Sequence, residues 1–212
     1  MATVSLTPPA VTAGPPAAIP YRISAAEFFR AIEADVFGRD RRIGLWEGWL
    51  YEKMAKKVPH AVASSKIVTA LFTALPAGWC FWPENPILID DFTAPLPDLT
   101  LVRGAADDYA RGGRVPRAVD VGLVVELADS TLKENLTDTL RKYAGAVLPI
   151  YWVVNLVDRR VEVFHGPQFV EGVASYARAE RFTPEQDVPL ILDGREVARI
   201  PARDLLPAEP TR

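Results

Sequence analysis

The run Val121-Gly-Leu-Val-Val-Glu126 places the tightest limit on how this chain can fold. Its side chains are apolar on both alternating faces, so a strand here must be covered on both sides, as a central strand of an α/β sheet is. The run then ends on a carboxylate, a charge that is costly to desolvate unless a cation or hydrogen-bond donors meet it. A second acid stands in a comparable place, where Pro97-Asp98 opens the β-type run Asp98-Leu-Thr-Leu-Val102. If the two strands are neighbours, Asp98 and Glu126 form a pair able to hold a divalent cation between carboxylates.

Cysteine and histidine usage narrows the choice of metal. The chain has one cysteine, Cys80, and two histidines, His60 and His165. That excludes a disulfide framework, a cysteine zinc site and a multi-histidine site within one chain. Oxygen ligands remain, which suits magnesium, manganese or calcium. With 212 residues, 49% apolar and 24% charged, the chain has the make-up of one globular domain with a sizeable core. A net charge of −3 argues against an extended DNA-coating surface, though not against a local basic cleft. No apolar run reaches membrane-spanning length and no basic-then-apolar leader opens the sequence, so the expected location is cytoplasmic and no membrane partner is expected.

Residues 1–20, rich in Pro, Ala and Thr, read as a disordered or extended arm. Ser24 and Glu27 form a capping-box signature, followed at helical spacing by Phe28, Ile32 and Val36. The stretch Ile43–Met54 reads as two short strands around a turn at Glu47-Gly48. A helix is predicted from Pro59 to about Leu75, strand pieces over Trp79–Trp82 and Pro86–Asp90, and a loop with at most a helical turn over 103–118. A helix from about Leu132 to Ala146 then separates the Val121–Leu127 strand from the strand Ile150–Asn155. A turn near Asp158-Arg159 leads into Arg160–Phe164 as a hairpin. The expected architecture is α/β, a mixed central β-sheet flanked by helices over residues 21–166, with a small C-terminal β extension over 167–212 packed on the same domain.

Phosphodiester hydrolysis needs charge neutralised on the phosphoryl oxygens, an activated water and help for the departing oxygen. Two or three carboxylates can fix magnesium for these tasks, and a lysine nearby helps to orient water and stabilise developing charge. Asp98 and Glu126 supply the first pair, and Glu47, in its turn, offers a third carboxylate from another direction.

In five segments the sequence resembles the Uma-two family of restriction endonucleases, within the PD-(D/E)XK nuclease superfamily. These are Leu45-Trp-Glu-Gly-Trp-Leu50, Pro59-His60, Pro97-Asp98-Leu-Thr-Leu101, Val124-Val-Glu-Leu-Ala-Asp-Ser130, and Tyr151-Trp-Val-Val-Asn155 running to Glu162-Val163. Their order and spacing agree over roughly residues 22–166. The resemblance implies a restriction-endonuclease-like core and an endonuclease hydrolysing DNA with magnesium, or manganese in its place. It puts Glu47, Asp98 and Glu126 at the family's acidic positions and His60 on the active-site wall, and a homodimer is compatible with it.

The departures are equally specific. The superfamily's lysine belongs two residues after the second acid, where this chain has Ala128. The family's Asp and Lys on the following helix fall on Asn135 and Thr139. Asp138 and Lys142 repeat that four-residue spacing about one turn further on, so Lys142 is the candidate catalytic lysine, leaning back toward Glu126. Loss of the usual pair leaves a second reading open, a catalytically impaired member of the fold that binds nucleic acid or a protein.

Other groupings have plainer readings. Lys53, Lys56 and Lys57 make a basic run, ordinarily an exposed face but, beside His60, also able to meet a nucleic-acid backbone. Ser130 and His165 lack the strained Gly-x-Ser-x-Gly turn of a hydrolase. Trp46, Trp49, Trp79, Trp82 and Trp152 sit among apolar neighbours, as core residues do.

Overall fold

The computed structural model describes residues 19–38, 40–54 and 57–209, so nearly all of the arm expected over 1–20 lies outside it, as does Lys56. The described chain enters through helix α1 (Ala25–Glu33). Ser24 Oγ accepts from the Glu27 N–H at 3.3 Å and the Glu27 carboxylate accepts from the Ser24 N–H at 2.8 Å, the reciprocal cap that the sequence predicts. Phe28 of α1 is buried with Ile43, Leu45 and Ala94, which ties the helix to a hairpin of β1 (Ile43–Trp46) and β2 (Trp49–Glu52). Both turn residues, Glu47 and Gly48, have positive φ (+49° and +84°), the twist a two-residue hairpin needs. A Cβ on Gly48 would come within 2.7 Å of Arg22 Cβ, so glycine also permits a close approach. Arg22 Nε donates to the Glu47 carbonyl at 2.7 Å and the Gly48 N–H donates to the Phe92 carbonyl at 2.7 Å. The hairpin is therefore clamped from two sides.

Helix α2 (Val58–Ala74) follows, with Pro59 in its first turn. The central sheet takes the order β3 (Trp79–Trp82), β4 (Leu99–Arg103), β5 (Val121–Ala128), β6 (Ile150–Asn155), β7 (Arg160–Val170) and β8 (Val173–Phe182). Strands β5 and β6 run parallel and the other neighbours antiparallel. A parallel pair requires a crossover, supplied by α4 (Leu132–Asn135) and α5 (Asp138–Gly145), which follow α3 (Ala106–Gly112) in the chain. Strands β9 (Asp187–Leu192) and β10 (Arg195–Pro201) form a separate antiparallel pair.

Alternation along the strands sorts the core. Leu99, Leu101, Leu123, Val125 and Trp152 pack with Ile67 and Leu71 of α2 and with Val188, Leu190 and Ile200 of β9 and β10. Val124, Tyr151 and Val153 point the other way, onto Tyr143, Ala144 and Leu148. The expected mixed sheet, with helices on its faces and an additional β element near the C-terminus, is thus the observed fold. Residue 166, where the sequence suggests a division, lies inside β7, and β9 and β10 share the core of the main sheet.

Three expectations need correction. The helix expected over 132–146 is broken, because Thr137 leaves helical geometry (φ −125°, ψ −86°) and its hydroxyl donates back to the Lys133 carbonyl at 2.8 Å. Pro86–Asp90 forms only isolated bridges, Leu88 to Arg117 and Asp90 to Thr93, because its N–H groups are shared among the carbonyls of Pro95, Pro116 and Thr93 instead of one partner strand. The loop expected over 103–118 contains α3, two turns long. There the Asp108 carboxylate accepts from the Ala105 N–H at 2.8 Å, and Gly113 closes the helix at φ +56°. Among the described residues no helix is long and apolar enough to cross a membrane.

Candidate active site

Strands β4 and β5 pair with Leu99 opposite Val125, so the next step along the register sets Asp98 opposite Glu126. Leu99 and Val125 face the α2 side of the core, and alternation turns both acids to the other face. Both are buried, Asp98 at 2% exposure and Glu126 at 8%. Both line a cavity of about 770 Å³ that is also lined by Lys53, His60, Tyr143, Trp46 and Trp49.

Each acid is differently supported. Asp98 Oδ1 receives Lys53 Nζ at 2.8 Å and His60 Nε2 at 3.2 Å, while Oδ2 accepts from the Leu127 N–H at 2.8 Å. Burial works against the charged form of Asp98, but the His60 hydrogen bond, the Lys53 charge and the Leu127 N–H outweigh it and hold the carboxyl well below its usual range. Glu126 has fewer donors. Its Oε1 accepts from Tyr143 Oη at 2.9 Å and its Oε2 lies 3.5 Å from Lys53 Nζ. Burial therefore dominates, helped by the Asp98 charge alongside, and lifts Glu126 to about 7 against the pull of Lys53. The two neighbouring carboxyls are thus pushed in opposite directions, Asp98 toward its charged form and Glu126 toward its neutral one.

Lys53, which the sequence reads as part of a basic run on an exposed face, reaches both acids. It directly follows β2, its N–H donates to the Arg42 carbonyl at 2.8 Å, and its ammonium donates to the Leu96 carbonyl at 2.9 Å. Burial disfavours its charge, but Glu126 and Asp98 more than compensate and raise its pKa. A signal was present in the sequence: alternation from Tyr51 onward gives Lys53 the same side of the hairpin as an inward aromatic. Tyr51 is itself inward enough for its hydroxyl to accept from the Leu96 N–H at 3.0 Å.

The structure brings Asp98, Glu126 and His60 together, but it does not bring Glu47 or Lys142 to them. Glu47 and Lys142 are absent from the cavity lining, and Glu47 keeps 58% of its side chain exposed on the turn. Lys142 Nζ lies 3.1 Å from Asp90 Oδ2 and 3.4 Å from Glu47 Oε1. The expected lean toward Glu126 is not met: α5 begins only at Asp138, and Lys142 finds carboxylates on the hairpin side first. Asn135, Asp138 and Thr139 do line the cavity, so the positions aligned with the family's helix acid and lysine face the site but carry no lysine.

Ser130 lines the cavity as well, whereas His165 pairs with Glu180 on β8 at 2.9 Å, which separates those two. Trp49, expected in the core, is 53% exposed, because it shares the face of Tyr51 and Lys53, which opens onto the cavity. Trp152 is fully buried as expected. Among the described residues no group of three or more His, Cys, Asp or Glu side chains is placed to hold a metal ion.

A mixed sheet with two acids opposed on adjacent central strands defines a restriction-endonuclease-like α/β protein. Residues 25–199 match the model of the Uma2 (Uma-two) family, described as "Putative restriction endonuclease", and the chain belongs to that family. The match runs beyond residue 166 and takes in β8, β9 and most of β10. The fold is similar to a crystal structure described as "a putative nuclease belonging to DUF820 from Anabaena variabilis ATCC 29413". The TM-score is 0.59 at 14% sequence identity, over 77% of this chain and 88% of that one. A comparison with curated proteins finds no match.

Proposed function

We propose that this protein is a metal-dependent endonuclease that hydrolyses DNA phosphodiester bonds, with Asp98 and Glu126 as the carboxylates that hold magnesium, or manganese in its place. The observation that carries the reading is the opposition of these two buried acids, one just before β4 and one in β5, on the wall of one cavity. The donor set fits a hard divalent ion. Both acids offer oxygen, and the point between Asp98 Oδ1 and Glu126 Oε2 already accommodates positive charge in the form of an ammonium. When bound there, such a cation supplies Lewis-acid charge against the phosphoryl oxygens and makes an attacking water more acidic.

The chain's own residues do the remaining work. His60 and the Leu127 N–H fix Asp98 in its ionised form and in one orientation. The Tyr143 hydroxyl orients one oxygen of Glu126 and leaves the other beside Lys53 Nζ. Lys53 is the cationic side chain nearest both acids, and it takes the electrostatic role for which the sequence suggested Lys142. Glu47 joins this site only if its contact with Lys142 opens, so the mechanism is built on two carboxylates. Trp46 and Trp49 give the cavity an aromatic wall, suited to stacking an unpaired base. The test is cleavage of single- and double-stranded DNA by the wild type with Mg²⁺ or Mn²⁺, beside Asp98→Asn.

A second reading, a catalytically impaired member of the fold that binds nucleic acid or a partner protein, draws on a separate observation. Neutral Asn135 and Thr139 face the cavity, and Lys142 is engaged elsewhere. Binding of DNA without cleavage under any divalent metal would favour it.

A further inference from the structure

The site contains a cation of its own, in the place the metal would need. Lys53 Nζ is 2.8 Å from Asp98 Oδ1 and 3.5 Å from Glu126 Oε2, so the ammonium stands between the two carboxylates. A divalent ion ligated by both acids needs that same gap, and two positive charges so close beside buried carboxylates repel strongly. The lysine can leave without unfolding the hairpin. Its backbone is pinned by the Arg42 carbonyl and by the ladder of β1 and β2, whereas its ammonium rides on a flexible four-carbon stem. The cavity beside it gives the head somewhere to go.

We infer that Lys53 is a built-in competitor for the metal: its ammonium and a divalent cation exclude one another from the gap between Asp98 and Glu126, and loading the site requires the ammonium to move out. The inference rests on reading Asp98 and Glu126 as a metal pair. It gives the metal-free protein a paired, neutralised site instead of two repelling buried charges. It also makes metal affinity a property of the hairpin that carries Lys53, so contacts at Arg22 and Phe92 that hold the turn bear on metal loading from outside the cavity.

The test is calorimetric titration of the full chain with Mn²⁺ alone, comparing wild type, Lys53→Met and Lys53→Arg. Lys53→Met keeps an unbranched stem and loses the charge, and it is expected to bind Mn²⁺ at least tenfold more tightly than wild type. Lys53→Arg keeps a cation in place and is expected to bind no more tightly than wild type. Equal or weaker binding by Lys53→Met overturns the inference. If Lys53→Met is too unstable without metal to titrate, thermal midpoints decide: Mn²⁺ should raise its midpoint by more than it raises that of the wild type, and an equal or smaller rise overturns the inference. DNA cleavage, measured separately, distinguishes the two readings. Tighter Mn²⁺ binding by Lys53→Met with no cleavage by any form supports the competition and removes the nuclease reading, whereas cleavage with unchanged affinity does the reverse.

Discussion

Glu47 and Lys142 pair with each other, Oε1 to Nζ at 3.4 Å, and neither lines the cavity that holds Asp98 and Glu126. With Glu47 largely exposed, the contact is a surface ion pair, a class typically worth about 0.2–1 kcal/mol. Lys142→Ala and Glu47→Ala are therefore each expected to change metal-dependent cleavage by less than about threefold and stability by less than about 1 kcal/mol. Loss of cleavage by tenfold or more, in a variant with an unchanged thermal midpoint, would return the pair to the chemistry.

The poised state of Glu126 has a pH signature. Its folded pKa of about 7 lies above the ordinary glutamate value of 4.5, so the folded protein holds this proton more tightly than the unfolded chain does. The stability contributed by this group is full below 4.5 and is lost as pH rises through about 7. Asp98 has the opposite sign: its depressed pKa gives stability that is present above 3.8 and lost as pH falls below it. In metal-free protein Glu126→Gln should thus remove the decline between these values, and its thermal midpoint relative to wild type should rise from pH 5 to pH 8. A difference that stays flat across that range would contradict the assignment.

Trp49 is expected to matter to binding more than to folding. Its side chain is half exposed and lines the cavity, so Trp49→Ala should leave the thermal midpoint nearly unchanged. Base–aromatic stacking is worth roughly 1–3 kcal/mol per base, so affinity for single-stranded DNA should fall about tenfold, measured by fluorescence anisotropy in Ca²⁺. Unchanged affinity would make the aromatic wall a bystander.

What the sequence made legible depended on the range of the interactions involved. The Ser24–Glu27 cap, the Glu47-Gly48 turn and the apolar Val121–Glu126 strand are local, and each appears as the residues imply. The opposition of Asp98 and Glu126 was inferable too, because each closes or opens an apolar strand and so carries its own desolvation problem. Lys53 was harder to read, since its contacts are with a partner 45 residues away at Asp98 and another 73 residues away at Glu126, and only its alternation with Tyr51 marks it as inward. Lys142 misled for the converse reason. Helical spacing put it one turn beyond Thr139, which lines the cavity, but Lys142 itself turns to Asp90 and Glu47. Trp49 shows the same limit: apolar sequence neighbours suggested a core residue, and its place on the wall of an open cavity leaves it half exposed.

The account's central claim is that Asp98 and Glu126 hold a metal used to cut DNA. Its most direct test is cleavage of a mixed set of single- and double-stranded DNA by wild type and Asp98→Asn, each confirmed as folded by circular dichroism, in millimolar Mg²⁺ or Mn²⁺ and in EDTA. The predicted result is cleavage by wild type with either metal, none in EDTA, and none by Asp98→Asn under any condition. Cleavage by Asp98→Asn at the wild-type rate, or no cleavage by wild type across every substrate and metal, would contradict it.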